Sequence, residues 1–169
     1  DFWVWEILAQ AYSNEPEKVF ACYCKALSCK SPEEMLVNLR QKMAQILLSK
    51  NKYPEAKTEI ELLVNARNEH GYKIPNEIIS WQSQDWYKNT NAKKSNLDFY
   101  KNYILDLKKI AVLETSIAQA NENDRLLESK YQNNIASAID RIDAETLLYQ
   151  AKINLELAKA DAKLAYYTL

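Results

Sequence analysis

A chain of 169 residues can bury a real core, and 47% hydrophobic with 27% charged residues is the balance of a folded protein rather than a disordered tail. The formal net charge of -1 gives no electrostatic reason to expect DNA, RNA or an acidic membrane surface as a partner. One Gly and 4 Pro are too few turn residues for a strand-rich fold, so we predict an all-α protein.

Helix-breaking residues divide the first half of the chain into five predicted helices. Asn14-Glu15-Pro16 and Asn51-Lys52-Tyr53-Pro54 turn the chain, and Ser31-Pro32-Glu33-Glu34 has the cap, proline and acids of a helix start. The short loops predict antiparallel pairs, followed by a polar loop at 89–96. The predicted helices run from about Phe2 to Ser13, Pro16 to Cys29, Pro32 to Ser49 and Pro54 to His70, with a fifth that opens at Ile74-Pro75-Asn76 and carries Trp81 and Trp86.

This first half also repeats itself. Leu8-Ala9 and Met43-Ala44 stand in corresponding positions, at an offset close to the ~34-residue period of tetratricopeptide arrays. The small residues Ala9, Ala44 and Ala56 would lie where paired helices come closest, and Tyr53 precedes Ala56 in a Tyr-x-x-Ala step. The segment from about residue 3 to residue 87 therefore resembles a tetratricopeptide-like domain.

The tetratricopeptide resemblance implies a protein-binding groove lined by the inner helices. It places Glu6, Gln10, Gln41 and Gln45 on the groove. The carboxylate-clamp version of the family uses Lys, Arg and Asn at such places, and this sequence does not have that pattern. The resemblance therefore implies a neutral or basic peptide or helix as the partner.

The second half of the chain has the pattern of a coiled-coil hairpin. Apolar residues follow alternating steps of three and four on both sides of Asn133-Asn134, and Asn tolerates the left-handed backbone of a tight turn. We predict a turn at about 133–137, with Ser137 capping the returning helix. A second stripe of Ile153, Leu157 and Leu164 makes the apolar face too wide for one partner helix. The two predicted seams are Ile110, Leu113, Ile117, Ala120, Asp124, Leu127 and Tyr131, and Ala144, Leu148, Ala151, Leu155, Ala158, Ala162, Ala165 and Leu169.

The hairpin sequence resembles a known family across its whole length. The segments AQANEN at 118–123, LESKYQNNIAS at 127–137 and IDAETLLYQA at 142–151 are similar to the periplasmic hairpin of TolC-type outer-membrane efflux proteins. In that family the hairpin tip contacts the adaptor protein of a trimeric pump. The resemblance covers roughly 110–169 and implies a hairpin of that ancestry rather than a working channel. Asn133-Asn134 departs from the small-residue and Gly pair at the tip of that family, and no membrane-barrel strands are predicted.

No pattern in the sequence predicts catalysis. One Gly excludes a Gly-rich phosphate loop, and the single histidine, His70, lies near a helix end that predicts a capping or solvated role. Cys22, Cys24 and Cys29 are too few and too close for a disulfide framework and fit small buried helix residues. We therefore predict a non-enzymatic protein with no catalytic, cofactor or metal site.

Two functional interpretations stay open. The first is a helical protein-protein interaction module that binds a protein or peptide and is cytoplasmic. The second is a fragment or fusion carrying a TolC-like hairpin, periplasmic or outer-membrane in location, which oligomerises and contacts an adaptor through Asn133, Asn134, Ile135 and Ser137. Because the first residue is not Met and the helical pattern continues to Leu169, we expect a piece of something longer. No apolar run is long enough to span a bilayer.

Overall fold

The computed structural model describes residues 1–167, and this part of the chain contains eight helices and no strand. The prediction of an all-α protein is confirmed. Leu169, the last residue of the second predicted seam, lies outside the described residues. The helices are α1 (Phe2–Ala11), α2 (Pro16–Leu27), α3 (Glu33–Ser49), α4 (Tyr53–Glu69), α5 (Asn76–Ser83), α6 (Asp85–Asn89), α7 (Leu97–Gln132) and α8 (Ala138–Tyr167).

The chain divides into two compact units. Unit 1 is Asp1–Ile104, and unit 2 begins at Leu105 and is described to residue 167. Helix α7 contributes its first two turns to unit 1 and its remainder to unit 2. The sequence predicts a helical repeat region at 1–95 and a long hairpin at 96–169, whereas unit 1 extends to Ile104.

Unit 1 is built from packed helix pairs. Helix α1 packs on α2, α3 packs on α4, and the two pairs meet through α2 and α3. Ala44 and Ala56 are fully buried, as small residues must be where helices approach closely. Ala44, Ile60 and Ile78 belong to one buried cluster that joins α3, α4 and α5. Partly buried aromatic and aliphatic residues pack against that cluster: Val64, Ile74, Trp81, Trp86 and Tyr87.

Aromatic side chains fix the first two turns of α7 in unit 1. The ring of Phe20 on α2 lies 5.1 Å from the ring of Tyr103 and 6.2 Å from that of Phe99, measured between centroids. Tyr100 and Tyr103 are both buried. Because large aromatic rings bury much apolar surface, these two turns, which follow the polar loop, are part of the core of unit 1.

Three helices end in the same left-handed cap. Asn51, Gly71 and Asn134 follow α3, α4 and α7 with φ of 58°, 66° and 57°. In each case the amide of the next residue bonds back five positions, as from Lys52 to Leu47 at 2.9 Å, which satisfies carbonyls that the helix end leaves unpaired. Asn stands at two of these caps because it tolerates positive φ better than other non-Gly residues.

Unit 2 is a helical hairpin whose arms meet near the turn. Arg141 on α8 forms an ion pair with Glu128 on α7, and its guanidinium lies 5.6 Å from the Tyr131 ring centroid. Ser137 and Asp140 cap α8 reciprocally, because Asp140 N donates to Ser137 Oγ at 3.1 Å and Ser137 N donates to Asp140 Oδ2 at 3.0 Å. The buried residues of α8 are Ala144, Leu148, Leu155, Ala158, Ala162 and Tyr166.

Candidate functional site

The predicted groove residues come together on helices α1 and α3. Glu6, Gln41 and Gln45 line one cavity of about 370 Å³ with Asn38 and Lys42. Gln10 lies exposed on α1, one turn after Glu6. Three of the four predicted residues therefore share a concave surface. We call the surface formed by Glu6, Asn38, Gln41, Lys42, Gln45 and Glu77 the inner face.

The helical repeat of α3 explains why these side chains point outward. Asn38, Gln41 and Gln45 are spaced by three and four residues, so they lie on one side of the helix. Met43 and Leu47 lie on the other side and are fully buried. Because the apolar side of α3 packs on the core, its Asn and Gln side chains point away from the core.

Side-chain hydrogen bonds link α1, α3 and α5 across the inner face. Lys42 Nζ donates to Glu6 Oε1 at 2.6 Å. Gln41 Nε2 donates to Glu77 Oε2 at 2.7 Å, and Gln45 Nε2 donates to Glu77 Oε1 at 2.9 Å. The Glu6–Lys42 and Gln41–Glu77 pairs each join residues 36 positions apart. These two hydrogen bonds, one linking α1 to α3 and one linking α3 to α5, therefore occur at the same separation in the sequence.

Glu77 was not among the residues predicted from the sequence. It stands directly after Pro75-Asn76, where an acid in the first helical turn has an ordinary explanation in the helix dipole. Its 36-residue offset from Gln41 is the signal that could have identified it. An ionised carboxylate offers about four lone-pair sites, so two glutamine donors fix its orientation and leave it able to accept further donors.

The predicted tip residues of the hairpin are all close to solvent. Asn133, Asn134, Ile135 and Ser137 are exposed, Ile135 to 75%. Asn133 Nδ2 donates to Ser129 O at 2.8 Å, so its side chain completes the end of α7. Hydrogen bonds from the Ser137 hydroxyl and amide lower the pKa of the Asp140 carboxyl below its ordinary value. The tip is thus an ordered, exposed turn.

The surroundings of Cys24 and His70 favour structural roles for both residues. Burial raises the pKa of the Cys24 thiol well above its ordinary value, which disfavours the thiolate that nucleophilic chemistry needs. His70 Nδ1 lies 2.9 Å from Ala66 O in the last turn of α4. Among residues 1–167, no group of three or more His, Cys, Asp or Glu residues is placed to hold a metal ion. No helix within that range is both long and apolar enough to cross a bilayer.

Comparison with known proteins identifies the family but not the function. No curated protein and no solved structure matches the chain. The family described as "Domain of unknown function (DUF7017)" matches residues 1–106, which is more than half of the 169 residues. The matched segment contains all of unit 1 and hence the whole inner face. On this match, the chain belongs to the DUF7017 family, a domain of unknown function.

Proposed function

We propose that this protein is a non-enzymatic helical scaffold that binds a partner peptide or helix on the inner face. The observation that carries the proposal is Glu77, an exposed carboxylate held at 2.7 and 2.9 Å by the amides of Gln41 and Gln45. Binding sites gain affinity when their polar groups are oriented before the ligand arrives. The resemblance of this segment to tetratricopeptide domains supports the same surface.

The charges of the inner face favour a basic side chain in the partner. Lys42 already pairs with Glu6 at 2.6 Å, which neutralises both. Within residues 1–167 no Lys or Arg side chain forms an ion pair with Glu77. A partner ammonium or guanidinium group would give Glu77 the charge-assisted hydrogen bonds that it lacks.

Apolar side chains on α1 add a second requirement for the partner. Trp3 and Ile7 are 52% and 58% exposed, and they share a side of α1 with Glu6 and Gln10 by helical spacing. Large exposed apolar residues beside an oriented polar group are typical of interaction surfaces. The partner chemistry that fits is therefore an amphipathic peptide with a basic residue.

A peptide selection tests this proposal. Peptides would be selected from a displayed random 15-residue library on the purified chain, and the affinity of the enriched sequences measured by fluorescence anisotropy. We expect basic, apolar peptides that bind Glu77→Gln about tenfold more weakly, because a charge-assisted contact is lost. Glu69→Gln, an exposed acid on α4, is the matched control and should bind like wild type.

The glutamines give an additional check of the same surface. Gln41→Ala and Gln45→Ala should leave the fold nearly intact and weaken the selected peptides. Enriched peptides that bind the three inner-face variants as tightly as wild type would place the binding surface elsewhere.

A second candidate function is association through the hairpin, as the TolC-like resemblance implies. On α8, Ile139, Ile142, Tyr149, Ile153 and Leu157 follow helical steps and are each more than half exposed. Such a stripe, running beside the buried seam of α8, is typical of a helix that packs on further helices. A homo-oligomer whose tip contacts an adaptor protein is the form that this function would take.

Light scattering on the purified chain tests the second candidate. A trimer that becomes monomeric in Ile142→Ser/Ile153→Ser would support it. Lys163→Ser, at an exposed α8 position outside the stripe, is the control that should not change the mass. A monomeric wild-type chain at high micromolar concentration would rule out association through the hairpin.

A further inference from the structure

A second cavity lies in unit 1, and it is lined by different residues from the inner face. Its volume is about 380 Å³, within the range of small-molecule sites. The end of α2 and the beginnings of α3 and α7 surround it. Leu27, Leu36, Leu62 and Leu97 supply apolar wall, while Ser28, Ser31 and Ser95 supply hydroxyl groups. We call this cavity the lysine pocket.

Positive charge exceeds negative charge around the lysine pocket. Lys30, Lys94 and Lys101 line it and are exposed, and none of them forms an ion pair within the described residues. The buried Arg40 also lines the pocket, but Glu33 and Glu59 pair with it. With four cationic and two acidic side chains in its wall, the pocket has an excess of two positive charges.

Residues at two helix N-termini also line the lysine pocket. Ser31 and Glu33 from the start of α3, and Ser95 and Asn96 from the start of α7, are among its lining residues. The N-cap position of α3 is Pro32, whose side chain has no hydrogen-bonding group. The amides of a helix N-terminus point outward and favour an anion. Both termini therefore reinforce the charge of the lysines.

The side-chain amide of Asn96 is buried in the wall of the lysine pocket, and its oxygen accepts no hydrogen bond from residues 1–167. Asn96 is 2% exposed, and its Nδ2 donates to Glu55 O at 2.9 Å and to Glu59 Oε1 at 2.8 Å. Because both partners are acceptors, the orientation of the amide is fixed. Asn96 Oδ1 has no hydrogen-bond partner within the described part of the chain. This oxygen is enclosed by the protein, so the contribution of the amide to the pocket is to hold Glu55 and Glu59 in its wall.

We propose that the lysine pocket binds a small phosphate monoester. The phosphate would contact Lys30, Lys94 and Lys101 and the N-termini of α3 and α7. A phosphate monoester carries a charge of about −1.5 to −2 near neutral pH, which matches the excess charge of the pocket, whereas a single carboxylate carries half of it. This site is independent of peptide binding at the inner face.

Calorimetric titration with four probes tests the proposal. Inorganic phosphate and glycerol 3-phosphate should bind saturably at one site, and glycerol should not bind. Glycerate, the carboxylate counterpart, should bind about tenfold more weakly than glycerol 3-phosphate, because it brings less charge. Failure of both phosphate probes to bind wild type, or equal affinity for glycerate and glycerol 3-phosphate, would overturn the assignment.

Charge-removing variants locate the site. Lys94→Gln and Lys101→Gln should each weaken glycerol 3-phosphate about tenfold, and the double variant should lose measurable binding. Lys88→Gln, at an exposed position on α6 outside the pocket, should bind like wild type. These exposed substitutions preserve the core, and circular dichroism would check the fold. Wild-type affinity in the double variant would contradict the proposal.

Discussion

Replacing Glu59 with alanine removes the centre of a buried polar network in unit 1. Glu59 is 1% exposed, and its carboxylate accepts hydrogen bonds from Arg40 Nη1 at 2.5 Å, Tyr100 Oη at 2.7 Å and Asn96 Nδ2 at 2.8 Å. These donors come from α3, α7 and the residue before α7. The one side chain therefore ties α4 to the first turns of α7 and to α3.

The expected loss of stability follows from the groups that the substitution leaves behind. Burial lowers the pKa of the Arg40 guanidinium, but the charges of Glu59 and Glu33 outweigh it and raise the pKa above its ordinary value. Without Glu59, Arg40 keeps only Glu33, whose side chain is 51% exposed. Removing one partner of a buried ion pair costs about 3–5 kcal/mol, a large part of a typical folding free energy of about 5–15 kcal/mol.

Urea unfolding followed by tryptophan fluorescence measures this loss. All four tryptophans, Trp3, Trp5, Trp81 and Trp86, lie in unit 1, so the signal reports unfolding of that unit. Glu69→Ala removes an exposed acid from the same helix and should change the free energy of unfolding by less than about 0.5 kcal/mol. A Glu59→Ala midpoint equal to that of Glu69→Ala would refute the proposed role of the network.

Three further predictions concern particular positions. Burial and the neighbouring Glu59 charge raise the pKa of Tyr100 well above its ordinary value. The free energy of unfolding should therefore fall as the pH rises above about 10, because the unfolded chain releases the tyrosine proton first. Urea midpoints between pH 8 and pH 11 should fall less steeply in Tyr100→Phe than in wild type. Ala44→Leu and Ala56→Leu should each cost about 1–3 kcal/mol in the same assay, because both sites are fully buried, and unchanged midpoints would show that the helices are not closely packed there. Because φ is 57° at Asn134, Asn134→Gly should be tolerated, whereas Asn134→Val should lower the thermal midpoint measured by circular dichroism. Equal thermal midpoints for the two variants would contradict the left-handed turn.

Local patterns in the sequence were sufficient to predict most of the helices and part of the site. The single fifth helix predicted to carry Trp81 and Trp86 was wrong, because extended backbone at Gln84 divides it into α5 and α6. The buried Ala144, Leu148 and Leu155 of α8 follow the predicted heptad steps, because a helix that packs along one side repeats its apolar residues at that interval. The tetratricopeptide resemblance implies that Glu6, Gln10, Gln41 and Gln45 share a groove, and three of them, all but Gln10, line one cavity. Their part in binding stays a prediction. In α8 the regular spacing of apolar residues was enough to predict the buried seam.

Long-range polar contacts were not predictable in the same way. Arg40 and Glu59 are 19 positions apart, and Tyr100 and Glu59 are 41 apart. Charged residues are usually solvated, so single charges at such separations give no sign that they will be buried together. The lysine pocket was not predicted either, because its wall combines the end of α2, the beginnings of α3 and α7 and part of α4, which are far apart in the sequence.

A charge exchange across the inner face tests whether Glu77 recognises the basic residue of the partner. Glu77→Lys should abolish binding of a selected basic peptide, since two like charges would then meet. The same variant should bind a peptide in which the basic residue is replaced by Glu, because the amides of Gln41 and Gln45 can rotate to offer oxygens to the new lysine. Restored affinity within about tenfold of the original pair is the predicted result. Loss of binding by Glu77→Lys with no recovery for the exchanged peptide, or no loss at all, would contradict recognition through Glu77.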